Sequence, residues 1–308
     1  MDRKMRTPRT TEWPTLVIVA LCYTLFVLAT VITPGYSLLA ATLLLAFTIA
    51  LHSSLQHEVL HGHPFPKQWI SDILVFPAIG LIFPFERFRK SHLDHHMDSN
   101  LTDPYDDPES NYLAPERWNK LGRLSRILLK FNNTLLGRML VGPAIGTTAF
   151  IYNDILSMLR GDKDIIRAYA LHALGLVPVV WWMNIVATIP FWAYLIAAYG
   201  GLSLLKIRTF LEHRANERVP GRTAVIEDQG PLAFLFLNNN YHAVHHMHPH
   251  IPWYALPKQY TALRSFYLAH NEHYVYKGYI EIFWRYLFKA KDPVPHPLMK
   301  SDSDARKN

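Results

Sequence analysis

The chain has 308 residues, 50% of them apolar and 18% charged, with a formal net charge of +7. Its one cysteine, Cys22, excludes disulfide scaffolds, thiolate zinc sites and iron–sulfur clusters. The positive charge is not gathered in a separate soluble domain, so contact with anionic lipid headgroups is expected and a nucleic-acid partner is not.

In chain order, residues 1–12 form a polar tail carrying Arg3, Lys4, Arg6 and Arg9. Residues 13–57 then contain no Asp, Glu, Lys or Arg. A bilayer demands that absence, because a charge at its centre costs several kcal/mol. About 20 residues of helix cross the hydrocarbon core, so the stretch holds two spans, 16–32 and 37–56. The turn Thr33-Pro34-Gly35-Tyr36 separates them. No small-residue cleavage site follows the first apolar run, so an uncleaved span is expected there and not a signal peptide. His57-Glu58-Val59-Leu60-His61 follows directly.

Residues 64–167 read as a long connection. Its apolar runs, 73–85 and 139–152, are short for spans and interrupted by Pro or Gly, which predicts interfacial or re-entrant segments. Between them come His92-Leu93-Asp94-His95-His96 and an irregular Asp-, Asn- and Pro-rich loop at 98–109. Residues 168–205 are again free of charge and hold spans 169–188 and 191–205, parted at Pro190. Beyond them lie Phe210-Leu211-Glu212-His213-Arg214 and His242-Ala243-Val244-His245-His246. Residues 257–289 mix aromatics with Lys and Arg, which predicts amphipathic helices at the interface. Residues 291–308 are expected to be a disordered tail. The fold class is therefore an all-α integral membrane protein. One domain, 13–290, carries four transmembrane helices and a histidine-rich cap. The external turns have no basic residue, so the positive-inside rule places the cap and both termini in the cytosol, at the inner membrane in a bacterium.

The chain has 17 histidines. On a helix, residues three and four apart share a face, so each box should send its imidazoles to a shared point. His57, His61, His92, His95, His96, His242, His245 and His246, with lone His213, are too many for one metal and point to two. Imidazole suits Fe, Zn, Cu and Ni alike. Asp94, beside the second box, is the carboxylate expected to hold an imidazole N–H, ahead of Asp98, Asp103, Asp106, Asp107 and Glu109. Asn238, Asn239 and Asn240 either reach a metal-bound water or cap the third box's helix, with capping the safer reading. His52 should be buried and hydrogen-bonded. His172 should be a packing or polar contact, and His248 and His250 candidates for supporting the ligands. His270, His273 and His296 should lie on the surface.

The set His57-x-x-x-His61, His92-x-x-His95-His96 and His242-x-x-His245-His246, with paired spans between, resembles the membrane fatty acid desaturase superfamily over about residues 40–260. The resemblance implies two iron ions held by the boxes, with His213 as a further ligand, and O2 as co-substrate. The haem-binding His-Pro-Gly-Gly of fused cytochrome domains is absent. Electrons are therefore expected from a separate donor, a ferredoxin or a free cytochrome. The superfamily includes carotenoid ketolases and hydroxylases, and residues 210–214 are similar to a ketolase segment. An unactivated C–H bond offers no acidic proton to a base, so an oxidant is required, and iron can supply one by redox cycling where zinc cannot.

The leading expectation is a desaturase of acyl lipids. A hydroxylase or ketolase acting on a lipid or carotenoid is the first alternative. A zinc hydrolase is the second, because His57-Glu58-x-x-His61 matches His-Glu-x-x-His. Two further boxes beyond the usual three ligands argue against it. A metal transporter ranks lower, since its histidines should line the spans.

Overall fold

The computed structural model describes residues 10–299. The basic residues of the N-terminal tail at 3–9 and the tail expected at 300–308 lie outside the described residues. Helix α1 (Trp13–Val27) continues through a π turn at Leu28–Ile32 and a 3₁₀ turn at Thr33–Gly35. Ser37 caps α2 (Leu38–Leu60) by accepting the Ala40 N–H at 3.2 Å. The helix starts where the Pro-Gly turn ends, as the charge pattern predicts. It runs four residues past the expected end, so His57 and Glu58 lie on its last turn.

Short helices α3 (Gln68–Leu74) and α4 (Phe85–His95) flank an irregular segment. That segment is tied down by hydrogen bonds to the second hairpin: Ala78 N–H donates to Gly175 O at 3.0 Å, and the Tyr194 side-chain O–H donates to Ile79 O at 2.8 Å. Helices α5 (Pro115–Lys120), α6 (Arg123–Asn132) and α7 (Leu135–Leu140) lead into α8 (Gly142–Leu159). The apolar run expected to be a short segment at 139–152 thus spans the end of α7 and the first part of α8, which continues past it to Leu159. Beyond the run, α8 carries Asp154, a buried carboxylate that Arg87 neutralises from α4 at 2.9 Å. Helix α6 carries an outward stripe of Leu124, Ile127, Leu128 and Phe131 that the sequence reading passed over.

Helices α9 (Lys163–Ile185) and α10 (Phe191–Thr209) form the second hairpin. Its turn packs beside the first turn: Thr188 N–H donates to Thr30 O at 2.8 Å and Ile189 N–H to the same oxygen at 3.1 Å. Helices Trp13–Gly35, Leu38–Leu60 and Lys163–Ile185 are long and apolar enough to cross a membrane. Helix α10, with 19 residues, makes its widest contact with α2. Among the described residues the only strand pair is a parallel one, β1 (Val225–Ile226) with β2 (Val275–Tyr276).

Past β1 come α11 (Pro231–Leu235) and α12 (His242–Met247). The amphipathic stretch expected at 257–289 is three short helices, α13 (Leu256–Ala262), α14 (Arg264–His270) and α15 (Tyr279–Tyr286), broken by β2. Residues 291–299, expected in the disordered tail, pair with the body instead. His296 N–H donates to Leu113 O at 2.9 Å, and its buried ring lies 3.4 Å from Thr102 Oγ1, so His296 is not a surface residue.

Candidate metal centre

Four segments carry the histidines to one place: the end of α2, α4, the chain just after α10, and α12. They assemble two groups of four. One comprises His57, His61, His92 and His245, the other His95, His213, His242 and His246. In each, the available ligand atoms all lie within 4.8 Å of one another. The nine histidines singled out from the sequence thus meet, but not box by box. Helices α4 and α12 each serve both groups. At roughly 100° per residue, positions four apart diverge by about 40° and positions three apart by about 60° the other way. His242 and His246 therefore share a group while His245 turns to its neighbour. His96 is the ninth. Its Nε2 lies 3.0 Å from that of His92 and 3.2 Å from that of His245, and its ring stacks on His246 with centroids 4.2 Å apart. It sits between the groups and makes them adjacent.

The outer nitrogens fix the tautomers. His92 Nδ1 lies 3.0 Å from Glu109 Oε1, and His95 Nδ1 lies 2.7 Å from Asp107 Oδ1. Asp107 is held in turn by the N–H groups of Thr102 at 2.8 Å and Glu109 at 2.9 Å. His242 Nδ1 faces Asn239 Oδ1 at 3.2 Å, and Asn239 donates to Glu212, which pairs with Arg208 at 3.0 Å. With protons committed to Nδ1 in His92 and His242, their Nε2 lone pairs point inward, toward the Nε2 atoms of the neighbouring rings. His95 and His242 approach His213 Nε2 at 2.9 and 3.0 Å. The Nε2 atoms of His57 and His61 are buried without a hydrogen-bond partner. Converging lone pairs repel unless a cation lies between them, so this donor set fits metal ions held by neutral imidazole.

The electrostatics agree. Burial, reinforced by neighbouring imidazoles, holds His61, His96, His213, His242 and His245 well below the ordinary imidazole range. Such nitrogens are unprotonated at neutral pH and available to a metal. His95 differs. Burial pulls it down, but Glu109, Asp107 and Glu212 overcome this and lift it to about 9. Carboxylates that favour a proton there favour a metal cation in its place.

Two expected supports need correction. Asp94 is exposed, because it lies between His92 and His95 on α4 and points away from the face they share. Asp107 and Glu109, from the following loop, take its role. Asn239 does reach His242, yet not by capping: α12 has Tyr241 at its N-cap and no side-chain cap. Asn238 and Asn240 bind the carbonyls of Trp253 and of Ile226 and Asp228. Glu212, absent from the expected site, joins through Asn239; its signal was its place beside His213.

The remaining histidines divide. His172 Nε2 lies 2.9 Å from Leu81 O, a polar contact as expected. His52 is buried edge-on to Tyr23, but its Nε2 has no hydrogen-bond partner. Glu58 does not serve the His57–His61 pair as a base. Its Oε1 accepts the Trp253 N–H at 3.0 Å and faces His63. This removes the geometric basis of the zinc-hydrolase alternative.

Comparison with known proteins follows the same direction. A family model described as fatty acid desaturase matches residues 34–278. The beta-carotene ketolase of Paracoccus sp. (strain PC1) is 24% identical over 217 residues, covering 68% of this chain and 72% of that protein. The beta-carotene ketolase of Paracoccus sp. (strain N81106 / MBIC 01143) is 24% identical over 220 residues, covering 69% and 73%.

Proposed function

The chain belongs to the fatty acid desaturase family, and on that premise we propose that it is a membrane di-iron oxidase that introduces a double bond into the acyl chain of a lipid. The observation that carries this reading is the pair of four-histidine groups, buried at the ends of apolar helices, with Nε2 atoms turned inward. Two iron ions, when bound, would supply an oxidant made from O2 and two electrons, which come from a separate carrier protein.

The chain's own residues do the positioning. His57, His61, His92 and His245, with His96 beside them, would hold one ion, and His95, His213, His242 and His246 the other. Asp107, Glu109 and the Asn239–Glu212 pair keep the imidazoles in register. Helices α1, α2, α9 and α10 present an apolar surface from which a water-insoluble substrate can enter. They also keep water from the oxidant. Four crossings are part of the proposal. Helix α10 is about 28 Å long at 1.5 Å per residue, close to the hydrocarbon thickness. The distribution of basic residues supports a cytosolic side for the histidines.

The two ketolases favour a second reading on the same scaffold, oxidation of a carotenoid. The outcomes differ in mass. Lipids of an expressing host should include acyl chains lighter by two hydrogens, missing when His95 is replaced. A product with a CH2 converted to C=O would establish the ketolase reading, and one oxygen added without loss of hydrogen a hydroxylase. No change in acyl lipids or carotenoids would refute both.

A further inference from the structure

Outside the two histidine groups lies a third convergence of metal-binding side chains, Glu12, Glu58 and His63. Their ligand atoms all lie within 4.8 Å of one another. Glu12 directly precedes α1, Glu58 belongs to the last turn of α2, and His63 follows that helix. The backbone holds the segments together, with Glu12 N–H donating to Pro64 O at 3.1 Å. His63 Nδ1 lies 2.9 Å from both carboxylate oxygens of Glu12, and its Nε2 lies 4.0 Å from Glu58 Oε1. Glu12 is 8%, Glu58 6% and His63 1% exposed. His63 Nε2 is buried, has no hydrogen-bond partner, and faces Glu58.

Two buried carboxylates need compensation; among the described residues no Lys or Arg lies within ion-pair distance of either, and His63, which faces both, can carry at most one positive charge against two negative ones. A divalent cation balances both while the imidazole stays neutral. A carboxylate holding Nδ1 and leaving Nε2 for an ion also repeats the arrangement of His92 with Glu109 and His95 with Asp107.

We propose that Glu58 and His63 Nε2, with Glu12 holding His63 Nδ1 behind them, bind a third, structural divalent cation of the zinc class. Carboxylate oxygens and one imidazole nitrogen are ligands zinc accepts, with water completing a four-coordinate site. Bound there, the ion clamps the start of α1 to the end of α2, beside the turn that carries His57 and His61. It takes no part in oxidation, so the proposal does not rest on the reaction assigned above.

The test is metal analysis and zinc K-edge absorption on the full chain purified in detergent. About one zinc per chain is expected, bound by oxygen donors and a single imidazole. His63→Ala and Glu12→Gln should each lose that zinc while iron is retained. Wild-type protein without zinc, zinc coordinated by several imidazoles, or zinc kept in both variants would overturn the proposal. If the variants do not accumulate, the wild-type spectrum decides alone. Iron content after His95→Ala tests the histidine groups separately, so the two readings fail in distinguishable ways.

Discussion

A histidine ligand announces itself through spacing, and a carboxylate that steadies it does not. His92, His95 and His96 were legible because three- and four-residue intervals recur on one helix face. Asp107 and Glu109 reach the same imidazoles from an aperiodic loop, where only folding decides which of several acids turns inward. Nearness in sequence favoured Asp94, and the helix places it outward. Substitution can separate these roles. Asp107→Asn and Glu109→Gln should lower turnover or iron affinity by roughly 10- to 100-fold, the usual cost of losing a partner behind a metal-bound imidazole. Asp94→Asn should leave both unchanged. His95→Ala and His245→Ala remove a donor atom and should abolish activity with loss of iron. His270→Ala, at a ring stacked on Phe266, should do neither. Iron content and turnover measured on the same preparations check all of these. Full activity in Asp107→Asn would show that the tautomer of His95 is fixed by something else.

At the scale of elements, the sequence located helices by what they lack and missed how they meet. Uncharged stretches delimited α1, α2, α9 and α10, whereas α8 continues past its apolar run, through the paired Asp154, to Leu159. The contact of α2 with α10 depends on small residues. Ala193, Ala197 and Gly201 recur every four residues on α10 and are buried, a spacing that lets helix backbones approach closely. A Cβ added at Gly201 would lie 2.8 Å from Ile49 Cγ2 and 3.1 Å from Ala46 O. The Ala46 carbonyl is backbone and cannot swing aside. Gly201→Leu should therefore cost about 1–3 kcal/mol of packing, read as a lower thermal midpoint in detergent. It should also loosen the metal centre, because α2 and α10 deliver His57 and His213. Gly35→Ala, where a Cβ meets nothing within 4 Å, is the matched control. Equal midpoints for the two variants would mean that the α2–α10 contact contributes little to stability.

Over the whole molecule, the charge pattern predicts the direction in which each helix runs, and the packing bears on that expectation. Helix α2 runs toward the histidines and ends in them, and α10 ends just before His213. These helices lie against each other and run the same way, so an odd number of reversals separates α2 from α9. The bonds from Thr188 and Ile189 to Thr30 place both hairpin turns together, at the end away from the metal centre. This geometry supports four crossings with every histidine box on one side. A labelling experiment tests it directly. Cys22 is the one native thiol and is buried, so its replacement gives a cysteine-free background. Gly35→Cys stands in open space at the first turn, and Lys67→Cys is exposed just past α2. In sealed vesicles a membrane-impermeant maleimide should label one of the two from outside and the other only after permeabilisation. A third thiol, Arg160→Cys between α8 and α9, should behave as Lys67→Cys does. Labelling of Gly35→Cys and Lys67→Cys from the same side would mean that the first hairpin does not cross. Labelling of Gly35→Cys and Lys67→Cys from opposite sides, with Arg160→Cys on the side of Gly35→Cys, would leave the first hairpin in place and force α8 to become a crossing helix.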